Sequence, residues 1–83
     1  MMRFRSKPCE VEATQWHPGV EIPGVLEVKF TDGRSCGYAF CYTIHRQQTR
    51  IDDGDWVVTE PGDPNYHYPV KPEIFEARWE PIE

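Results

Sequence analysis

Apolar and polar residues alternate at a period of two along much of this sequence, a pattern that is typical of half-buried β-strands. The longest alternation runs from residue 36 to residue 44, and one of its faces carries Cys36, Tyr38, Phe40, Tyr42 and Ile44. The opposite face is small, as expected where a neighbouring element approaches the strand closely. We therefore expect the face with the large side chains to lie on the hydrophobic core.

The same alternation, bounded by turn residues, predicts further strands elsewhere in the chain. They cover residues 9–16, 25–30, 48–51, 55–59 and 66–70. Pro69 places the last of these at a sheet edge, because proline has no N–H to donate to a neighbouring strand. Residues 71–75 predict a single helical turn with Pro72 at its first position, and residues 77–79 are expected to be extended again.

The composition favours strands over long helices. The chain has eleven aromatic residues and twelve Val or Ile, but only one Leu and three Ala. Its 83 residues provide material for one hydrophobic core, so we expect a single domain over residues 1–83. The predicted fold is mainly β, namely a small curled antiparallel sheet or barrel of six to seven strands with one short helical turn.

The charge of the chain restricts the class of partner. Nine Lys or Arg against fourteen Asp or Glu give a net charge of −5, and the basic residues form no stripe. This disfavours a surface for duplex nucleic acid, which must neutralise phosphates. An acidic surface could instead meet a basic protein partner, or mimic nucleic acid for a protein that binds it. No apolar run is long enough for a signal peptide or a membrane span. Three cysteines without a CxxC pair indicate reduced thiols and a cytoplasmic protein.

The sequence contains no motif that indicates an enzyme. Cys36 and Cys41 point to opposite faces of a continuous strand, so they cannot chelate a metal together, and we expect no metal and no cofactor. Carboxylates are concentrated at Asp52, Asp53 and Asp55, which could bind a hard cation or act as acid and base. This stretch is more typical of a turn whose carboxylates accept hydrogen bonds from backbone N–H groups.

The aromatic residues divide into two sets. The predicted core rings are Phe30, Tyr38, Phe40, Tyr42 and Trp56. A later cluster is predicted to lie at the surface and to form the binding site, and it consists of Tyr66, His67, Tyr68, Lys71 and Arg78. Such a cluster could stack a base and hold a phosphate, or it could be an interface hot spot.

The two ends of the sequence resemble a family of small phage and prophage proteins. Residues 53–58 (DGDWVV) and 68–80 (YPVKPEIFEARWE) are similar to the family pattern PGDWI followed by YPxKPDIF and an aromatic-Glu-Pro ending. The opening RSKP with VEA and QW resembles the family's R-K-K-P-x-x-V-E-A-x-Q-W. Asp53 replaces the family's proline, and both the Gly-Glu loop before Tyr-Pro and the helix after Gln-Trp are lacking. The resemblance implies a phage origin rather than a particular chemistry.

Three functions follow as hypotheses. The first is a phage-encoded accessory protein that engages or inhibits a host or defence protein in the cytoplasm of an infected or lysogenic bacterium. The second is a small-molecule binder that sequesters a nucleotide signal at the late aromatic cluster. The third is an enzyme that uses the aspartates of residues 52–55. A symmetric homodimer remains open.

Overall fold

The computed structural model describes residues 2–6 and 9–81 and is mainly β. Its strands are β1 (Met2–Ser6), β2 (Cys9–Gln15), β3 (Leu26–Lys29), β4 (Ser35–Tyr42), β5 (Gln48–Asp52), β6 (Trp56–Thr59), β7 (His67–Val70) and the two-residue β8 (Glu80–Pro81). One helix, α1 (Pro72–Arg78), lies between β7 and β8. The strands form two antiparallel sheets in the orders β7-β6-β2-β1-β8 and β3-β4-β5. The mainly-β prediction is confirmed, and neither sheet closes into a barrel.

The described residues are arranged in three layers, with the five-stranded sheet in the middle. Phe75 of α1 packs on one face of this sheet against Phe4, Val11, Ala13 and Val58. The three-stranded sheet packs on the other side, where its Ala39, Cys41 and Ile51 contact Trp16, Ile22 and Val57. Val57 and Val58 are adjacent on β6 and point to opposite faces, so β6 contributes to both cores.

The alternation of β4 predicts the strand correctly, but the assignment of its core face is wrong. Ala39 and Cys41, on the small face, are fully buried, whereas Tyr42 and Ile44 are exposed. The cause is the close approach of β7, where the Cys41 thiol lies 3.6 Å from the His67 carbonyl oxygen. Only small side chains fit at that distance, so the large side chains of β4 point away from the molecule.

Several predicted core rings are accordingly misplaced. Phe30 and Tyr42 are exposed, and Tyr38 and Phe40 are only half-buried. Trp56, by contrast, packs against the core beneath α1, as predicted. Trp56 stacks on Phe75 with the ring centroids 4.4 Å apart. The fully buried tryptophan is Trp16 instead, and it lies between the two sheets.

The segment after β7 is more helical than the sequence predicts. Helix α1 continues to Arg78, so the prediction of extended backbone is wrong for residues 77 and 78. Trp79, which ends the helix, is extended as predicted. Pro72 occupies the start of the helix and Arg78 its last turn, both favourable positions. Phe75 anchors the helix, because its buried ring lies between Trp56 and Trp79.

The strand β1 was not predicted. It pairs with β2 along its whole length, from Met2 opposite Ala13 to Ser6 opposite Cys9. Between Arg3 and Arg5 only Phe4 marks it as a strand, and the Phe4 side chain is buried. The position of β7 at the edge of its sheet, predicted from Pro69, is confirmed.

Candidate functional site

His67 belongs to the cluster that the sequence places at the surface, and for its ring this placement is wrong. The side chain is buried, with 3% of its surface exposed. Its Nδ1 lies 3.3 Å from the Thr59 hydroxyl, and it also hydrogen-bonds to the Pro23 carbonyl. Burial lowers the pKa of His67 below its ordinary value, an effect that the bond to Pro23 opposes. His67 is therefore a neutral interior group that connects β7 to the loop before β3.

The two tyrosines beside His67 do not form a joint surface with it. Tyr68 is half-buried and packs against the core under α1, on the face of β7 opposite to His67. Tyr66 is also half-buried, and its backbone groups pair with Glu60 and Asp63 to close the loop before β7. The buried His67 ring therefore does not share a surface with Tyr68, so the three side chains do not form one aromatic platform.

Lys71 and Arg78 do not converge on one ligand. The Lys71 ammonium lies 3.0 Å from an Asp52 carboxylate oxygen and 3.2 Å from each oxygen of Asp55. Arg78 is exposed in the last turn of α1, about 10 Å from the start of the helix at 1.5 Å per residue. A phosphate at Lys71 would have to displace two carboxylates.

The aspartates of residues 52–55 form the predicted turn. Asp55 is buried, with 3% exposed, and its Oδ2 accepts a hydrogen bond of 2.9 Å from the Asp52 N–H. Hydrogen bonds from Lys71 and Arg50 lower the pKa of Asp52. Hydrogen bonds to Asp52 and Asp55 in turn raise the pKa of Lys71. Asp53 points elsewhere and pairs with the exposed His17 at 2.7 Å. Among the described residues, no group of three or more His, Cys, Asp or Glu side chains could hold a metal ion.

A surface on the three-stranded sheet has the character of a binding site, and it includes Phe30, Tyr38, Phe40 and Tyr42, which the sequence predicts for the core. We call it the outer face, and it consists of the large apolar side chains on the outward side of the three-stranded sheet together with Phe30, which follows β3, and Ile44, which lies beyond the end of β4: Leu26, Phe30, Tyr38, Phe40, Tyr42 and Ile44. Leu26 lies opposite Phe40 on the neighbouring strand, and the rings of Tyr38 and Phe40 touch edge to face, with centroids 5.6 Å apart. Four of the five exposed large apolar residues in the described chain belong to this face.

Two arginines lie on the outer face, but their charges are already paired. The Arg50 guanidinium lies 4.1 Å from the centroid of the Tyr38 ring and 2.8 Å from an Asp52 carboxylate oxygen. Arg34 covers the Phe30 ring at 5.2 Å and pairs with Asp32 at 2.7 Å. Because each cation has a carboxylate beside it, the outer face is aromatic and close to electrically neutral. Such a surface suits an apolar protein surface better than a phosphate backbone.

A groove lies beside the edge strand β3, with a volume of about 610 Å³. We call it the β3 groove, and its apolar lining includes Val20, Ile22, Val25 and Leu26. Two carboxylates, Glu21 and Glu27, also line it. Leu26, which is 62% exposed, belongs both to this groove and to the outer face, so the two surfaces are continuous.

Glu27 has an incomplete hydrogen-bond environment. Its Oε1 accepts a hydrogen bond of 3.2 Å from the Gly19 N–H, while its Oε2 is buried and has no partner. In the sequence, Glu27 has the solvent-facing position of an alternating strand. In the structure it shares the inward face with Ala39 and Ile51, its cross-strand neighbours. The sequence therefore does not indicate that the Glu27 carboxylate is partly buried.

Comparisons with known proteins give no relative: no protein-family model, curated protein or solved structure matches the chain. The resemblance to small phage proteins therefore stays a prediction. The seven residues of α1, the helix in the described part of the chain, are too few to cross a membrane.

Proposed function

We propose that this chain is a small accessory binding protein that engages a partner protein through the outer face, with no chemistry of its own. The phage-family resemblance supports a host or defence protein of an infected bacterium as that partner. The observation that carries the proposal is the uncovered aromatic and aliphatic surface of the three-stranded sheet. We assign the binding role to this surface and not to the late cluster around His67.

The layer arrangement supports this choice. The five-stranded sheet is covered on one face by α1 and on the other by the three-stranded sheet, whereas within the described chain nothing packs on the outer face. Contiguous apolar surface of this kind marks interaction sites in small soluble domains. Tyrosine and arginine, which dominate interface hot spots, contact each other on this face as Tyr38 and Arg50.

The distribution of charge indicates the partner's chemistry. Residues 26–52 carry four Lys or Arg against three Asp or Glu, while the rest of the chain carries five against eleven. The outer face is thus the least acidic part of an acidic protein. A partner with an apolar patch flanked by basic residues would match both the neutral face and its acidic surroundings.

The test compares two variants in which an exposed apolar side chain is made polar. Leu26→Ser with Tyr42→Ser removes apolar area from the outer face, and Ile74→Ser removes a side chain of similar exposure from α1. Wild type and both variants are immobilised and exposed to lysate of a bacterial host, and circular dichroism establishes that the variants are folded. We expect a stoichiometric partner protein that binds wild type and Ile74→Ser alike and is at least tenfold depleted on the outer-face variant.

Two outcomes would contradict the proposal. One is a partner that the outer-face variant retains in full, since the binding surface would then lie elsewhere. The other is wild-type protein that sediments as a dimer and becomes monomeric in the outer-face variant while no other protein is captured. That result would make a second copy the occupant of the outer face.

A further inference from the structure

The geometry of the β3 groove points to a recognition site for one kind of side chain. We propose that this groove receives an arginine of the partner protein, whose guanidinium pairs with the Glu27 carboxylate. The inference rests on the proposed function, because the arginine belongs to the segment of the partner that crosses from the outer face into the groove. Leu26, which lines both surfaces, marks the place of crossing.

The first argument is the unpaired oxygen of Glu27. An ionised carboxylate is an acceptor only, and a buried polar atom without a partner is unfavourable by an amount comparable to a lost hydrogen bond. Oε1 is held by the Gly19 N–H at the long distance of 3.2 Å, and no hydrogen bond holds Oε2. Glu27 lines the groove, so a donor that arrives there can add a hydrogen bond to a carboxylate that now accepts only one long hydrogen bond.

The second argument is the match of the groove to the shape and charge of arginine. Its walls are aliphatic at Val20, Ile22 and Val25, and such walls suit the three methylenes of an arginine stem. Two carboxylates, Glu21 and Glu27, line the groove, and Lys29 is the one cation among its described lining residues. The planar guanidinium can donate two parallel hydrogen bonds to one carboxylate, whereas the ammonium of lysine acts as a point charge.

The third argument is the position of the groove at a sheet edge. β3 has β4 on one side and no strand of the described chain on the other. An edge strand presents backbone N–H and C=O groups that can pair with an incoming extended segment. A partner segment that runs along β3 would bring its side chains over Leu26 and toward Glu27, in the order that the proposal requires.

The probe for this site is a pair of small amides that differ in charge. N-acetyl-arginine amide carries the guanidinium, and N-acetyl-citrulline amide has nearly the same shape without the charge. Both are titrated into isotope-labelled protein, and NMR follows the carboxyl carbon of Glu27 and the amide of Gly19. We expect the arginine amide to bind with a dissociation constant on the order of 1 mM, and the citrulline amide to bind at least about tenfold more weakly.

Three variants make the result specific. Glu27→Gln keeps the shape of the side chain without its charge and is expected to lose the preference for arginine. Glu21→Gln, in the same groove, is expected to keep most of it. Equal shifts from both amides, or an unchanged preference in Glu27→Gln, would overturn the proposal. A Tyr42→Ser, Ile44→Ser protein, whose changes lie on the outer face and outside the groove, separates this inference from the proposed function, because loss of partner binding there with no arginine preference in wild type contradicts the groove alone.

Discussion

Gly24 occupies a position where an added methyl group meets two separate penalties. Its φ is +85°, a left-handed conformation that L-residues rarely adopt. A Cβ on Gly24 would also lie 2.7 Å from Nε2 of His67 and 2.9 Å from its Cδ2. Because the His67 ring is buried and bonded to Thr59 and Pro23, it cannot swing aside without the loss of those hydrogen bonds.

The two penalties can be estimated separately for Gly24→Ala. The left-handed backbone conformation costs an alanine about 1–2 kcal/mol. Displacement of a buried, hydrogen-bonded imidazole adds about 1–3 kcal/mol for the polar groups left without partners. We therefore expect Gly24→Ala to lower the free energy of unfolding by about 2–5 kcal/mol, a large part of the stability of a domain this small.

Gly19 provides the matched control, since it has a φ of +93° in the same loop but no atom within 4 Å of an added Cβ. Urea unfolding followed by tryptophan fluorescence measures both variants, and Gly19→Ala should lose only the backbone part, about 1–2 kcal/mol. In a His67→Ala background, Gly24→Ala should then cost about as little as Gly19→Ala. Equal losses for Gly19→Ala and Gly24→Ala in the native background would refute the contact between Gly24 and His67.

Three further predictions concern other buried groups. Asp55→Ala should destabilise the fold by about 2 kcal/mol in urea unfolding, because it leaves the Asp52 N–H without its acceptor. Asp53→Ala, at an exposed position, should change stability little, and equal effects of the two substitutions would contradict the structure of the turn. Because the pKa of folded His67 lies below 6.5, the unfolded chain takes up the proton first, so stability should fall as the pH drops below 6.5. His67→Asn should flatten that part of the stability–pH curve, and an unchanged slope would argue against a neutral buried His67. In a Cys9→Ser background, Cys36 should react with a thiol reagent in the folded protein. Burial raises the pKa of Cys41 to about 11 and should protect its thiol until the chain unfolds. Reaction of both thiols at the same rate would contradict the burial of Cys41.

The strands could be predicted from the sequence because each has a local signal. Alternation predicts β4, and Pro69 predicts the edge position of β7. The turn residues Asp32 and Gly33, between β3 and β4, predict the pairing of these two strands. The strand β1 has one apolar residue between two arginines, which is too little for a period to be recognised. Its position depends on pairing with β2, and that is a contact of the folded chain.

The sequence could not predict which face of each strand lies inside. Alternation indicates that β4 has a large and a small face, but the approach of β7 to Cys41 decides which of them is inside. For the same reason, nothing local to His67 indicates that it fills the space beside Gly24. Glu27 lies opposite the inward Ala39, so its unpaired oxygen follows from the same choice of faces. Its place in an alternating strand does not indicate this.

Strand β6 has a consequence for how the molecule opens. Val57 contributes to the core between the two sheets and Val58 to the core beneath α1, so neither core can lose its packing without exposing the same strand. We expect both cores to melt in one cooperative transition, with no state in which only one sheet is folded. Hydrogen exchange should report this directly: the amides of β6 should exchange only through global unfolding, and those of the edge strand β3 through smaller local openings.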